Sequence, residues 1–272
     1  MNIAPGSPFS AHVISLPRTP QRLARFHKWN EPTGIRFEHL KAVDGRALRL
    51  DLLDPSILAP GTTHYKRGSV GSALSHRMLW DRCASGEVPY LICEDDAALR
   101  ADAATAIPAL MAGVPHGWDM ICLGYNADAL LDLDLGEGIR LRCAFPRGNP
   151  TPEQLGRFGT MQNPVGAARL ANFFGLCAYL LSPAGARRLL DLCFPLDNRV
   201  IHVDSSERPI GVSTLDGRIN AHLAEIVAYA AVPPIALPDN DAASSVKADS
   251  PAAASLPGLP RQAGHRRSPA GR

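Results

Sequence analysis

The sequence predicts an α/β domain built on a mixed, mostly parallel sheet flanked by helices, and three observations carry that prediction. Short apolar runs recur along the chain, at residues 12–16, 89–93, 120–123 and 228–232, each of a length that suits a buried strand better than a helix. Between them lie stretches with apolar residues at helical spacing, such as Val70, Leu74 and Met78. Strands alternating with helices bury both kinds of apolar surface by layering helices over a sheet. Finally, 272 residues with 46% hydrophobic and 20% charged content suit one folded core plus a tail.

The elements follow in order. His12-Val-Ile-Ser-Leu16 ends at Pro17 and reads as a buried first strand. Thr19-Pro20 supplies an N-cap followed by proline at the first helical position, and Leu23 and Phe26 continue the helix. Residues 35–43 form a second strand candidate, closed by Asp44-Gly45. Residues 69–85 read as a helix stopped by Gly86, and 89–93 as a strand leading into Glu94-Asp95-Asp96. A helix around 108–111 and a strand over 120–123 come next. Asp132-Leu-Asp134 reads as a solvated turn, and the Gly- and Pro-rich residues 139–166 as long loops. Residues 174–181 form another strand candidate, Ser182-Pro183 opens a helix running to Leu190, and residues 228–232 are the last strand. The domain is expected over 10–237. Residues 238–272, rich in Ala, Ser and Pro, are expected to be a disordered tail that buries too little apolar surface to offset its ordering entropy.

Composition excludes several classes. With 28 basic against 26 acidic residues the net charge is +2, too near neutral for a protein that wraps nucleic acid. The six cysteines form no C-x-x-C pair and mostly sit in apolar runs, so they are expected as reduced core thiols in a reducing compartment. Residues 1–8 lack the pattern of a signal peptide, and no apolar stretch approaches the roughly 20 residues of a membrane span. A cytoplasmic location is expected. The basic tail residues Arg261, His265, Arg266, Arg267 and Arg272 would allow a peripheral contact with an inner membrane face.

Glu94-Asp95-Asp96 is the feature that points to chemistry. Three adjacent carboxylates repel one another unless a cation or hydrogen-bond donors neutralise them. One or two carboxylates plus substrate phosphates is a usual setting for Mg2+ or Mn2+. Ligands of α/β sheets gather at the carboxyl ends of strands, and Glu94 is expected at such an end.

His12-Val-Ile-Ser-Leu-Pro-Arg-Thr-Pro-Gln-Arg22, Ala42-Val-Asp-Gly45, the stretch Gly68-Ser-Val-Gly-Ser-Ala-Leu-Ser-His-Arg-Met-Leu-Trp80 and Leu91-Ile-Cys-Glu-Asp-Asp96 occur in that order. They are followed by Trp118-Asp-Met-Ile-Cys-Leu123, Ala178-Tyr-Leu-Leu-Ser-Pro-Ala-Gly-Ala186 and Val232-Pro-Pro234. The series resembles family 25 glycosyltransferases of the bacterial lipooligosaccharide galactosyltransferase type. That resemblance implies a GT-A-like fold, a UDP-sugar donor, a Mn2+ or Mg2+ ion and inversion at the anomeric carbon. It implies metal and diphosphate contact by Asp95 and Asp96, with Glu94 orienting or sharing. It also implies an active-site role for His76 beside Ser75. Arg18 and Arg22 follow the first strand, where a nucleotide would lie, and Asp44 is either a turn residue or a nucleoside contact. Trp80 reads as core packing. Ser72 stands where the family commonly has Cys. Thr214-Leu-Asp216 is the nearer match to a late Pro-Val-Asp segment and Val203-Asp204 competes with it, so the base that deprotonates the acceptor is Asp216 or Asp204. Either could instead cap a helix.

The expected activity is transfer of a hexose, galactose or glucose, to a glycan or lipid-linked glycan acceptor in lipopolysaccharide or other surface-glycan synthesis. The alternative is a non-catalytic binding relative of the same fold. No phosphate-cradling G-x-x-x-x-G-K-[ST] loop is present, nor a G-x-G-x-x-G after the first strand, which disfavours common phosphoryl-transfer and dinucleotide-binding enzymes.

Overall fold

The computed structural model describes residues 8–126, 129–143, 150–202 and 209–239. In chain order the elements are β1 (Ser10–Ser15), α1 (Pro20–Asn30), β2 (Glu38–Lys41), α2 (Arg67–Ala84), β3 (Tyr90–Glu94), β4 (Ala97–Leu99), α3 (Ala103–Gly113), β5 (Met120–Gly124), β6 (Leu131–Asp134) and β7 (Arg140–Cys143). They continue with α4 (Pro152–Gly159), β8 (Gly166–Asn172), β9 (Ala178–Leu181), α5 (Pro183–Cys193), β10 (Val200–Ile201), β11 (Ile210–Gly211), α6 (Leu215–Asn220), β12 (Ala228–Val232) and β13 (Ala236–Pro238).

The central sheet runs β2-β1-β3-β9-β5-β12-β8-β6-β7. β2, β1, β3, β5, β12 and β6 point one way, while β9, β8 and β7 are reversed. The expected mixed, mostly parallel sheet with flanking helices is therefore present, and the reversed β9 is wedged between β3 and β5. Strand alternation splits the core into two faces. Ile14, Ile92, Met120 and Tyr179 pack with α2, α5 and α6 on one face. Val13, Leu91, Cys93 and Ile121 pack with α1 and α3 on the other. The short pair β4-β13 follows the acidic triplet and stands outside this sheet.

Several expectations need correction. The strand of 35–43 shrinks to β2. Residues 139–166 are not long loops throughout: they hold β7 and α4, and Thr151 and Gln154 form a complete capping box at the start of α4. The strand expected over 174–181 begins only at Ala178, and a separate strand, β8, precedes it. Asp132-Leu-Asp134 is not a solvated turn. It lies in β6, with Leu131 and Leu133 buried. Asp132 faces Arg142 across the β6-β7 ladder, bound at 2.7 and 3.0 Å through both carboxylate oxygens. Leucines alternating with aspartates are a half-buried strand pattern, and a forked ion pair lets the polar face be buried. At α1 the hydroxyl of Thr19 donates to the Leu16 carbonyl instead of capping the helix. Asp204 and the basic tail residues lie outside the described residues.

Candidate active site

β1 and β3 are parallel neighbours, with Ile14 opposite Glu94, so Ser15 and Glu94 end their strands at the same sheet edge. Beyond Glu94 the chain turns tightly through Asp95 and Asp96 into β4. The Asp239 N–H, just after β13, donates to the Asp96 carbonyl at 2.9 Å and fastens that turn.

Alternation at the strand end parts the carboxylates. Glu94 shares the face of Ile92 and meets α2, where His76 Nε2 lies 3.3 Å from its Oε1. Asp95 turns to the α1 face, where Ser15 donates to its Oδ2 at 2.6 Å and the Arg22 Nε to its Oδ1 at 2.8 Å. A second guanidinium nitrogen of Arg22 is 2.7 Å from the same Oδ1 and 3.5 Å from Asp96. Asp95 and Asp96 are both buried, whereas Glu94 is half-buried. Burial works against the charge on Glu94, but the hydrogen bond from His76, with a further pull from His76 and Arg22, outweighs it and holds the carboxyl below its usual range. Among the described residues no group of three or more His, Cys, Asp or Glu side chains is placed to hold one metal ion.

The other expected site residues divide into two sets. His76 is buried in the site, and its Nδ1 lies 2.8 Å from the hydroxyl of Tyr179, to which the Trp80 indole also donates at 2.8 Å. Trp80 is fully buried, as its core reading required. Ser75 is buried too, and its hydroxyl donates to the Gly71 carbonyl at 2.7 Å and accepts the Val43 N–H at 2.8 Å. It therefore fastens α2 to the segment after β2. The fit there is close: a Cβ on Gly71 would lie 2.7 Å from the Val43 carbonyl oxygen. Asp44 caps the short 3-10 turn after it, accepting the Arg46 N–H at 3.0 Å, and pairs with Arg18 at 2.8 Å. The Arg46 N–H foremost lowers the Asp44 carboxyl below its ordinary value; burial opposes it, and the charge and hydrogen bond of Arg18 add to the lowering.

Asp216 lies in the first turn of α6, half-buried. Its Oδ2 accepts the Gly175 N–H at 2.7 Å and its Oδ1 the Gly217 N–H at 2.9 Å. Asn220, one turn on, exchanges hydrogen bonds with both backbone groups of Phe173. Together they clamp the lead-in to β9, and Cys177, two residues past Gly175, accepts the Glu94 N–H at 2.8 Å. Asp216 and Glu94 thus brace one short segment from its two ends. Gly175 has φ +93°, a backbone conformation that favours glycine, and its Cα packs against the Asn126 side chain.

Two residues of the site escaped the sequence reading. Ser15 fell inside the strand expected over 12–16, and the structure makes it the last residue of β1. Tyr179 was legible only once β9 was known to pair with β3, which sets it opposite Ile92.

Carboxylates and their donors gather here at the carboxyl ends of parallel strands, the edge at which α/β folds generally bind ligands. The chain belongs to glycosyltransferase family 25, described as LPS biosynthesis proteins, whose profile matches residues 9–206. That span includes the acidic triplet, Ser15, Arg22, Ser75, His76 and Tyr179, but not Asp216, Gly217, Asn220 or Asp239. Over 190 residues, 65% of this chain, it is 29% identical to a mouse protein named inactive glycosyltransferase 25 family member 3. Over 93 residues, 31% of the chain, it is 33% identical to a glycosyltransferase 25 family member of Drosophila pseudoobscura pseudoobscura. The matches span 28% and 15% of those relatives' own lengths. A looser likeness, TM-score 0.35 at 9% identity, covers 80% of this chain and 65% of a Bacillus anthracis protein assigned as a glucose-1-phosphate thymidylyltransferase and crystallised with sucrose. Among the described residues no helix is long and apolar enough to cross a membrane.

Proposed function

We propose that this chain is an inverting glycosyltransferase that moves a hexose, galactose or glucose, from a UDP-sugar to a glycan or lipid-linked glycan acceptor. Its place would be lipopolysaccharide or other surface-glycan synthesis on the cytoplasmic side of a membrane. The observation that carries the reading is Glu94, a half-open carboxylate at the carboxyl end of β3, met by His76 at 3.3 Å within the family-matched region.

The donor set fits a hard divalent cation. Glu94 and Asp96 offer only oxygen, and two carboxylates completed by substrate phosphates suit Mg2+ or Mn2+. Such an ion, when bound, offsets the charge that builds on the departing diphosphate. Asp95 is held by Ser15 and Arg22, so in this reading it anchors the turn and keeps Arg22, a forked phosphate donor, at the site's edge. Asp216 is the preferred base, since its carboxylate retains free lone pairs beyond the two N–H groups it accepts.

Two observations favour the second reading, a non-catalytic binding relative. Arg22 already neutralises Asp95 and reaches Asp96, and a mouse relative bears the name inactive.

The test is UDP release from a panel of UDP-sugars with Mn2+, for wild type and Asp96→Ala, with melting temperatures recorded for both. Release with one sugar, abolished by chelator and by the substitution in a folded variant, supports the transferase. UDP binding with Mn2+ but no release across the panel favours the non-catalytic relative.

A further inference from the structure

α2, β9 and β3 together carry four side chains linked in one line on the α2 face of the sheet. The Trp80 indole nitrogen lies 2.8 Å from the Tyr179 hydroxyl, the hydroxyl 2.8 Å from His76 Nδ1, and His76 Nε2 3.3 Å from Glu94 Oε1. His76 and Trp80 are one helical turn apart, so both reach the same hydroxyl. Tyr179 and Trp80 are fully buried and His76 nearly so, which leaves Glu94 as the open end.

The proton positions follow from what each group can do. An indole N–H only donates, so Trp80 occupies a lone pair of the Tyr179 oxygen. The hydroxyl has one proton, and Trp80 cannot accept it. If His76 carried its proton on Nδ1, that N–H would point at the Tyr179 oxygen and strand the hydroxyl proton in a dry interior. The bare Nε2 lone pair would also face the Glu94 carboxylate. With the proton on Nε2, every contact is a donor meeting an acceptor: Trp80 to Tyr179, Tyr179 to His76 Nδ1, His76 Nε2 to Glu94.

We propose that Tyr179 and Trp80 are positioning residues that fix His76 as the Nε2–H tautomer and aim that proton at Glu94. This rests on the transferase reading for its purpose, since a carboxylate held in one orientation presents its other oxygen to the ligand. It assigns work to the His76-x-x-x-Trp80 pair of α2: the helix turn is a bracket for one hydroxyl.

The test is long-range 1H–15N correlation spectroscopy of full-length, histidine-labelled, metal-free protein, with His76→Gln to assign the signals. The wild type should show a protonated Nε2 and a pyridine-type, hydrogen-bonded Nδ1. In Tyr179→Phe the Nδ1 signal should shift to that of an unbonded nitrogen. Trp80→Phe should shift it the same way by less, because the hydroxyl proton is then free to turn. The Trp80→Phe/Tyr179→Phe double variant removes donor and acceptor together, which guards against a fold lost to an orphaned indole. It should behave as Tyr179→Phe does. Calorimetric Mn2+ affinity of Tyr179→Phe should fall, by less than the roughly 10- to 100-fold expected on removing His76, the direct partner of Glu94. An Nδ1–H pattern in the wild type, or an unmoved Nδ1 signal in Tyr179→Phe, overturns the proposal. So does unchanged Mn2+ affinity in a variant whose wild type binds the ion. If the wild type neither binds Mn2+ nor releases UDP, the transferase reading fails instead, and the nitrogen signals alone decide the tautomer.

Discussion

Arg22 grips Asp95 from α1, with two guanidinium nitrogens 2.8 and 2.7 Å from a single carboxylate oxygen, on the face of the sheet opposite His76 and Glu94. The two side chains of the pair are about nine-tenths buried. Removing one partner of such a pair leaves the other charge desolvated and unmatched. Arg22→Met should therefore destabilise the protein by about 3 kcal/mol, read from urea unfolding. A loss below about 0.5 kcal/mol would mean that water, and not Arg22, compensates Asp95.

Asp216 separates a base from a clamp. Asparagine keeps an oxygen for the Gly175 N–H but loses the acceptor for the Gly217 N–H, and it cannot take a proton from an acceptor. Asp216→Asn should lower turnover by about 100-fold or more while the fold loses only about 1–3 kcal/mol for the unmatched Gly217 N–H. Full turnover in the variant would leave Asp216 a structural clamp and shift the search to Asp204.

Gly71→Ala should destabilise by about 1–3 kcal/mol. The new methyl would lie 2.7 Å from the Val43 carbonyl oxygen and 2.9 Å from the Gly45 nitrogen, both of them backbone atoms. Thermal melting would show it, and an unchanged midpoint would mean that α2 can slide from the turn without loss.

His12 predicts a pH dependence. It is buried in β1, stacked on Tyr90 at 4.3 Å, with Nε2 against Ser10 and Glu38 and Arg82 nearby. Burial foremost, aided by Arg82 and opposed by Glu38, lowers its pKa below the ordinary 6.5. In the window between the lowered folded value and 6.5 the unfolded chain binds more protons, so stability rises with pH there. The contribution is complete above 6.5 and is lost as pH falls through the folded value. Denaturation midpoints measured from pH 8 down to 5 should decline below 6.5, and His12→Phe should flatten that part of the decline.

The thiols give a simple check on the core. Cys83, Cys93, Cys122, Cys177 and Cys193 are buried, Cys143 is half-buried, and all six are free. Burial pushes the Cys83 and Cys193 thiols up to about 12. A thiol reagent at pH 8 should modify Cys143 first in native protein and all six only after unfolding. Rapid labelling of Cys93 would contradict the placement of β3.

Local pattern made most of the strands legible. The apolar runs at 12–16, 89–93, 120–123 and 228–232 all became members of the central sheet, because strands covered on both faces are apolar throughout. The triplet was legible for the same reason: a buried strand that runs abruptly into three carboxylates must end at an edge. The reversed β9 was not legible. Nothing local in Ala178-Tyr-Leu-Leu181 fixes its direction, which depends on which neighbours it pairs with. β6 was misread because two aspartates look solvated until the partner Arg142 is known. Ser75 was picked out by its place in a motif, but its hydroxyl is committed to Gly71 and Val43, and pairing of that kind appears only when two distant segments are packed together.

The wedging of β9 between β3 and β5 also sets the order in which the protein can be completed during synthesis. A ribosome-bound chain that has emerged only as far as β5 already carries Arg22, His76 and the three carboxylates. Its β3 and β5 have no strand between them, because the one that joins them is made more than fifty residues after β5 ends. Contacts of such long sequence separation form late and slowly. Until β9 arrives, the apolar flanks of β3 and β5 are exposed and Glu94 lacks the Cys177 carbonyl that holds its backbone. The nascent chain carries these unpaired edges through that interval, and β5 keeps one until β12 follows; exposed edges of this kind favour aggregation.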